Sequence, residues 1–198
     1  MKRGLLILLL AILLVGCSSS KQVTRLDTET TTDLSGRWND TDSRLVAQEM
    51  ISDCLSRVWL TDFAAAHGKK PVVTVGMIRN MTSEHINTET FTKDFERELL
   101  NSGQIRFVGS MEQRGEIREE RQDQQEYASL ETVKQLRAET GADFVLLGAV
   151  KTIVDQEEGT RVVFYQTDLE LINVESNEKA WIGTKKIKKG ISQGKWKP

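Results

Sequence analysis

Apolar and polar positions alternate in patterns that change sharply along this chain. Positions 5–15 are apolar without interruption, whereas residues 18–40 are Ser, Thr, Asp and Glu with few apolar groups. Val46, Met50, Cys54 and Val58 then recur every fourth position, with Ala47, Ile51, Leu55 and Trp59 beside them. That is the wide stripe of one long helix. Asp40, Thr41 or Asp42 is placed to cap its start, and Gly68 after His67 suits a left-handed stop. Pro71 opens an apolar run, 72–78, predicted as a strand. A second helix is predicted from Asn87 or Thr88, with Phe91, Phe95 and Leu99 at i, i+4 and i+8, stopping at Asn101-Ser102-Gly103. A short strand follows at 105–108. Residues 110–126 are charged nearly all round, with Ile117 almost the only apolar residue, so a helix there is solvated, ion-paired or partly disordered. Leu130, Val133 and Leu136 predict a further short helix, ended by Gly141.

The last third changes character. Residues 144–150 are continuously apolar, as in a central strand covered on both faces. Residues 155–160 form a turn. Val163, Tyr165, Thr167, Leu169 and Leu171 then alternate with mostly polar partners, the signature of a half-buried strand. Residues 173–178 turn again and 180–187 return. The early strands need crossovers and the late ones only hairpins. The predicted fold class is therefore α+β: a single mixed β-sheet with helices packed on it, ending in a three-strand antiparallel meander.

The start of the chain adds a destination. Lys2 and Arg3 precede the eleven apolar residues, which suffice for an export signal but fall short of the roughly 18–20 that a spanning helix needs. Leu14-Val15-Gly16-Cys17 matches the lipobox of bacterial lipoprotein signal peptides. There the cysteine thiol is lipidated, cleavage falls between Gly16 and Cys17, and the cysteine becomes the first mature residue. Ser18 stands where an Asp retains many such proteins in the inner membrane. The expectation is an outer-membrane lipoprotein facing the periplasm, held stably because two or more acyl chains are needed for a firm hold. The predicted layout is a signal peptide at 1–16, a lipid-anchored Cys17 with a flexible tether to residue 40, a globular domain at 41–192 and a flexible tail at 193–198. The tether reading follows from composition: residues 18–40 cannot bury enough surface to offset their ordering entropy.

Charge and chemistry narrow the function. Loss of Lys2 and Arg3 with the signal takes the formal net charge from −2 to −4, so no basic excess exists to drive nucleic-acid binding. With Cys17 lipidated, Cys54 has no disulfide partner and reads as a small buried apolar group. His67 and His85 with one thiol do not build a metal site. No nucleophile elbow, phosphate-binding Gly loop or His-Glu-x-x-His motif is present. Nothing marks a catalytic residue, a cofactor or a small-molecule substrate. Glu84 and Glu89 flank a loop and read as solvated surface acids. Lys185, Lys186, Lys188 and Lys189 interleave with Ile187, while Lys195 and Lys197 surround Trp196. These lysines read either as edge-strand charges that prevent sheet-to-sheet pairing or as a positive patch for an acidic partner or anionic envelope polymer.

Several segments together resemble the penicillin-binding protein activator LpoB family of outer-membrane lipoproteins. They are the lipobox Cys17; Ser35-Gly36-Arg37-Trp38-Asn39-Asp40-Thr41-Asp42; Pro71-Val72-Val73-Thr74-Val75-Gly76 with Arg79-Asn80; His85-Ile86-Asn87-Thr88; Ser102-Gly103 with Arg106-Phe107-Val108; and Gly141-Ala142-Asp143-Phe144-Val145-Leu146. They lie at turns, caps and strand cores over roughly residues 35–185. The resemblance implies a domain like the TolB amino-terminal domain and a protein without catalysis of its own. It also implies a partner, a bifunctional class A penicillin-binding protein whose glycan polymerisation and cross-linking it stimulates. The family's best-known member has a long proline-rich tether; here Pro71 and Pro198 are the only prolines. The short tether leaves a second expectation open, an envelope structural or secretion-associated lipoprotein on the same scaffold.

Overall fold

The structure is a computed structural model that describes residues 22–28, 30–135 and 139–192. The expected signal peptide, Cys17, Leu136 and the 193–198 tail with Trp196 lie outside the described residues. The chain divides into two units at Thr30/Thr31. In the first, the described residues from 22 are exposed and irregular, with one turn bond from Thr30 N–H to the Asp27 carbonyl.

Helix α1 (Asp40–Leu55) is capped one residue earlier than its sequence suggests. Asn39 accepts from the Asp42 N–H, and Asp42 accepts in return from the Asn39 N–H, a closed capping box. Val46, Ala47, Met50, Ile51 and Cys54 are buried as predicted. The single long helix is corrected to two. The Ser56 hydroxyl donates to the Asp53 carbonyl and the Trp59 indole N–H to the Cys54 carbonyl, each at 2.7 Å. Side chains thus satisfy the last carbonyls of α1 and let the backbone turn. Helix α2 (Val58–His67) starts in a new phase. Trp59 and Phe63 are buried, and Val58, which continued the α1 stripe on paper, is 73% exposed. Gly68 ends α2 at φ +63, donating to the Ala64 carbonyl.

Strand β1 (Val72–Met81) leads to helix α3 (Thr88–Asn101). Asn87 caps it by accepting from the Glu89 and Thr90 N–H groups, and its stripe of Phe91, Phe95 and Leu99 is fully buried. Strand β2 is only Arg106–Phe107. Helix α4 (Met111–Tyr127) buries no residue, consistent with its all-round charge. Polar contacts hold it instead: Arg118 and Arg121 to Glu139, and Gln124 and Gln125 to the Lys134 backbone. The helix predicted around Leu130 and Val133 is a turn, closed by N–H groups of Thr132 and Val133 on the Ser129 carbonyl. Leu130 is 96% exposed.

The three last strands are 14 residues each: β3 (Phe144–Glu157), β4 (Thr160–Asn173) and β5 (Lys179–Ser192). Sheet order is β2-β1-β3-β4-β5, parallel through the first three and antiparallel from β3 onward. The α+β class with its closing meander is therefore what the structure has. Helices α1 and α3 cover one face, against Val73, Val75, Leu146, Val150, Leu169, Leu171 and Trp181. A Cβ on Gly148 would stand 2.5 Å from the Asp168 carbonyl oxygen, so only glycine permits that approach of β3 to β4. The expectation that residues 144–150 are covered on both faces is corrected. Phe144, Leu146 and Val150 face the helices and are buried, but Val145, Leu147 and Ala149 face the other way and are half-buried.

Candidate interaction surface

Strand β5 places its four candidate lysines on two different faces, because successive strand residues point in opposite directions. Lys185 and Lys189 lie on the helix side with Trp181 and Ile187; Lys186 and Lys188 lie on the open side. Lys185 pairs with Glu49 of α1. Lys189 is more deeply set. Its ammonium stands 2.6 Å from both Asp33 and Asp42 and donates to the Arg37 carbonyl at 3.1 Å, with its side chain 9% exposed and that of Asp42 7%. Burial pushes the Asp42 carboxyl above its ordinary pKa, against the pull of the Lys189 hydrogen bond. That same ammonium, bonded to Asp33, holds the more open Asp33 carboxyl below its own. Burial opposes the charge of Lys189, but the two carboxylates outweigh it and raise its pKa. Lys189 is thus a structural ion, and the structure does not bring the four lysines into one patch.

Beside this cluster, residues 31–39 of the expected tether pack on the domain. Asn39 donates to Thr32 and Asp33. Trp38 meets Phe91 and Tyr165 edge-on, at ring centroids 5.7 and 5.5 Å. Glu84, expected as a solvated acid, joins the same knot: one carboxylate oxygen accepts from the Tyr165 hydroxyl at 2.7 Å, the other from the Trp38 N–H at 3.1 Å. Its correction is tertiary, since the partners lie 81 and 46 positions away. Glu89 is exposed in the first turn of α3.

The face opposite α1 and α3 is open across β3, β4, β5 and the end of β1; at the start of β1 it is closed, with Val72 and Thr74 buried and the Thr74 hydroxyl donating to the Gly109 carbonyl. One cross-strand row is Met81, Lys151, Gln166 and Lys186; the next is Ile153, Phe164 and Lys188. Asp168 lies in the row on the other side of Lys151, with Arg79, Ala149 and Thr184, and accepts from Lys151 (2.9 Å), Thr184 (2.8 Å) and Gln166 (2.8 Å). Partial burial works against its charge, and these donors nevertheless hold the carboxyl below its ordinary pKa.

A cleft of about 650 Å³ lies at the edge of the domain, floored by Trp59, Phe63 and Phe144 and rimmed by Asp62, His67 and Glu178. Its floor is core: the rings pack edge to face and the His67 ring stacks on Phe63 with Nδ1 3.0 Å from the Phe63 carbonyl. Cys54 is buried in α1, and burial pushes its thiol up to about 12, which suppresses the nucleophilic thiolate. Among the described residues no group of three or more His, Cys, Asp or Glu is placed to hold a metal ion.

The fold and its surfaces define a small α+β domain that packs one face of its sheet and presents the other. A family model described as the peptidoglycan-synthase activator LpoB matches residues 42–187, and the chain belongs to that family. That family is one of regulators rather than enzymes. Among solved structures, the chain is similar to the LpoB C-terminal domain from Escherichia coli, at 18% identity and TM-score 0.40, covering 74% of this chain and 98% of that one. It is also similar to the corresponding Salmonella enterica domain, at 19% identity and TM-score 0.36, covering 65% and 92%. The dodecameric PelC from Paraburkholderia phytofirmans matches at 20% identity and TM-score 0.35, covering 61% of this chain and 73% of that one. A search of curated protein sequences returned no match.

Proposed function

We propose that this chain is a non-enzymatic outer-membrane lipoprotein that faces the periplasm and binds and activates a class A penicillin-binding protein. The observation that carries the reading is the family match, which spans the domain from the first turn of α1 to the middle of β5. The lipobox ending at Cys17 supports the anchor. Activation of this kind is differential binding: the lipoprotein stabilises the active synthase state over the inactive one, and a tenfold stimulation needs a preference of about 1.4 kcal/mol. The test uses the full acylated chain in detergent with the purified class A synthase of its own cell. The expected result is binding and a raised rate of glycan polymerisation; no binding and an unchanged rate sink the proposal.

The tether favours a second reading, an envelope structural or assembly lipoprotein whose partner lies close to the outer membrane. Residues 31–39 pack on the domain, which leaves the thirteen residues 18–30 as the tether between the lipid and the domain. Fully extended they reach roughly 40–50 Å. Cross-linking in cells that captured only outer-membrane proteins would select this reading.

A further inference from the structure

We propose that the sheet face opposite α1 and α3 is the docking surface, and that its occupant is an acidic, carboxylate-bearing patch of the peptidoglycan synthase. This rests on the function proposed above and adds the face and the charge of the partner.

The first observation is the asymmetry of the sheet. Along β4, Val163, Tyr165, Thr167, Leu169 and Leu171 are buried under the helices, while Val162, Phe164, Gln166, Asp168, Glu170 and Ile172 on the opposite face are all partly open. On β5 every open-side residue from Ile182 to Ser192 is exposed.

The second is charge. On this face Lys151 is neutralised by Asp168 and Lys179 by Glu170. Arg79, Lys186 and Lys188 are exposed and have no ion-pair or hydrogen-bond partner among the described residues. The carboxylates Asp155 and Glu157 of this face sit beyond the two rows, toward the β3–β4 hairpin. A chain of net negative charge therefore carries unpaired cations on the sheet face opposite α1 and α3. Such cations are matched by an acidic surface.

The third is the apolar content between those charges. Ile153 is 68% exposed and pairs across the strands with Phe164, which pairs with Lys188; Met81 is exposed beside Lys151. Apolar and aromatic groups at the centre with charge around them are the anatomy of a protein interface. Lysines that only guard the β5 edge need no Ile153 or Phe164 beside them.

The test compares the full acylated chain with Lys186→Glu/Lys188→Glu, using the cell's own purified class A penicillin-binding protein in detergent at low and raised salt. The proposal expects binding weakened about tenfold or more, with reduced salt dependence. Lys93→Glu/Arg97→Glu makes the same charge change on α3, behind the opposite face, and is expected to leave affinity unchanged. If the glutamate pair misfolds by thermal melt, Lys186→Gln/Lys188→Gln replaces it, with a drop of about threefold expected. Wild-type binding with unaltered affinity in the sheet variants overturns the face while leaving the activator function standing. Absence of wild-type binding overturns both. A photo-reactive phenylalanine analogue in place of Ile153 checks the occupant in cells. A cross-link to the synthase supports the proposal, and one to lipid or to a second copy of this chain overturns it.

Discussion

Tyr165 in the middle of β4 donates its hydroxyl to Glu84 in the loop after β1, and the other oxygen of that carboxylate accepts from the backbone of Trp38. One acid thus ties the sheet, a crossover loop and the segment entering α1. Tyr165→Phe leaves that oxygen without its partner in a partly buried site and is expected to cost about 1–2 kcal/mol, read as a lowered urea midpoint at unchanged slope. Burial, then the Glu84 bond, raises the Tyr165 pKa. The stability this contributes is complete below the unfolded value of about 10 and is lost as pH rises through the higher folded one.

Two lysines three positions apart are expected to respond oppositely to the same change. Lys189→Met strands Asp42 in its buried site and should cost about 3 kcal/mol or more, whereas Lys186→Met on the open face should stay within about 0.5 kcal/mol. Asp42 already has a raised folded pKa, and losing Lys189 raises it further. A raised carboxyl stabilises the fold most below its unfolded pKa and loses that contribution as pH rises through the folded one. The Lys189→Met deficit should therefore shrink as pH is lowered from 7 toward 4, which paired denaturation curves will show.

Asp168 works in the other direction. Its folded pKa is depressed, so its contribution is present above about pH 4 and is lost as pH falls through the folded value. Asp168→Asn should lower stability at pH 7 by about 1 kcal/mol after allowance for partial exposure. The gap from wild type should narrow below pH 4 in acid-unfolding curves.

Cys54 should not react with thiol reagents at pH 8 in the native protein, because its thiol titrates near 12 and is buried. With Cys17 acylated, unfolding in urea should expose one reactive thiol per chain. Rapid native reaction would mean that α1 opens locally.

Local pattern and tertiary outcome part at identifiable residues. The stripes of α1 and α3, the alternation of β4 and the left-handed stop at Gly68 were legible because each follows from repeats of 3.6 or 2 or from a required positive φ, whereas the turn expected over 155–160 narrows to Glu158–Gly159 because β3 and β4 pair out to Glu157 and Thr160. The break at Ser56 was not. The Val58 stripe is locally consistent with one long helix, and the Trp59 indole reaching back to Cys54 makes two helices preferable. Alternation along β5 already divides Lys185 and Lys189 from Lys186 and Lys188, and that signal was available in the chain before any coordinates.

What the order of residues determined by itself is the presence of a lipobox sequence ending at Cys17, the α+β class, the closing meander and the resemblance to the activator family. Each rests on short-range periodicity or on a contiguous motif. Folding alone decided that residues 31–39 join the domain, that Glu84 and Lys189 are structural ions, and that the sheet face opposite α1 and α3 stays largely open across β4 and β5. The two ions depend on distant partners: Lys189 meets Asp33 and Asp42, 156 and 147 positions away, and Glu84 meets Tyr165, 81 away. The energy of a charge is set by what surrounds it in space, and no local pattern records that.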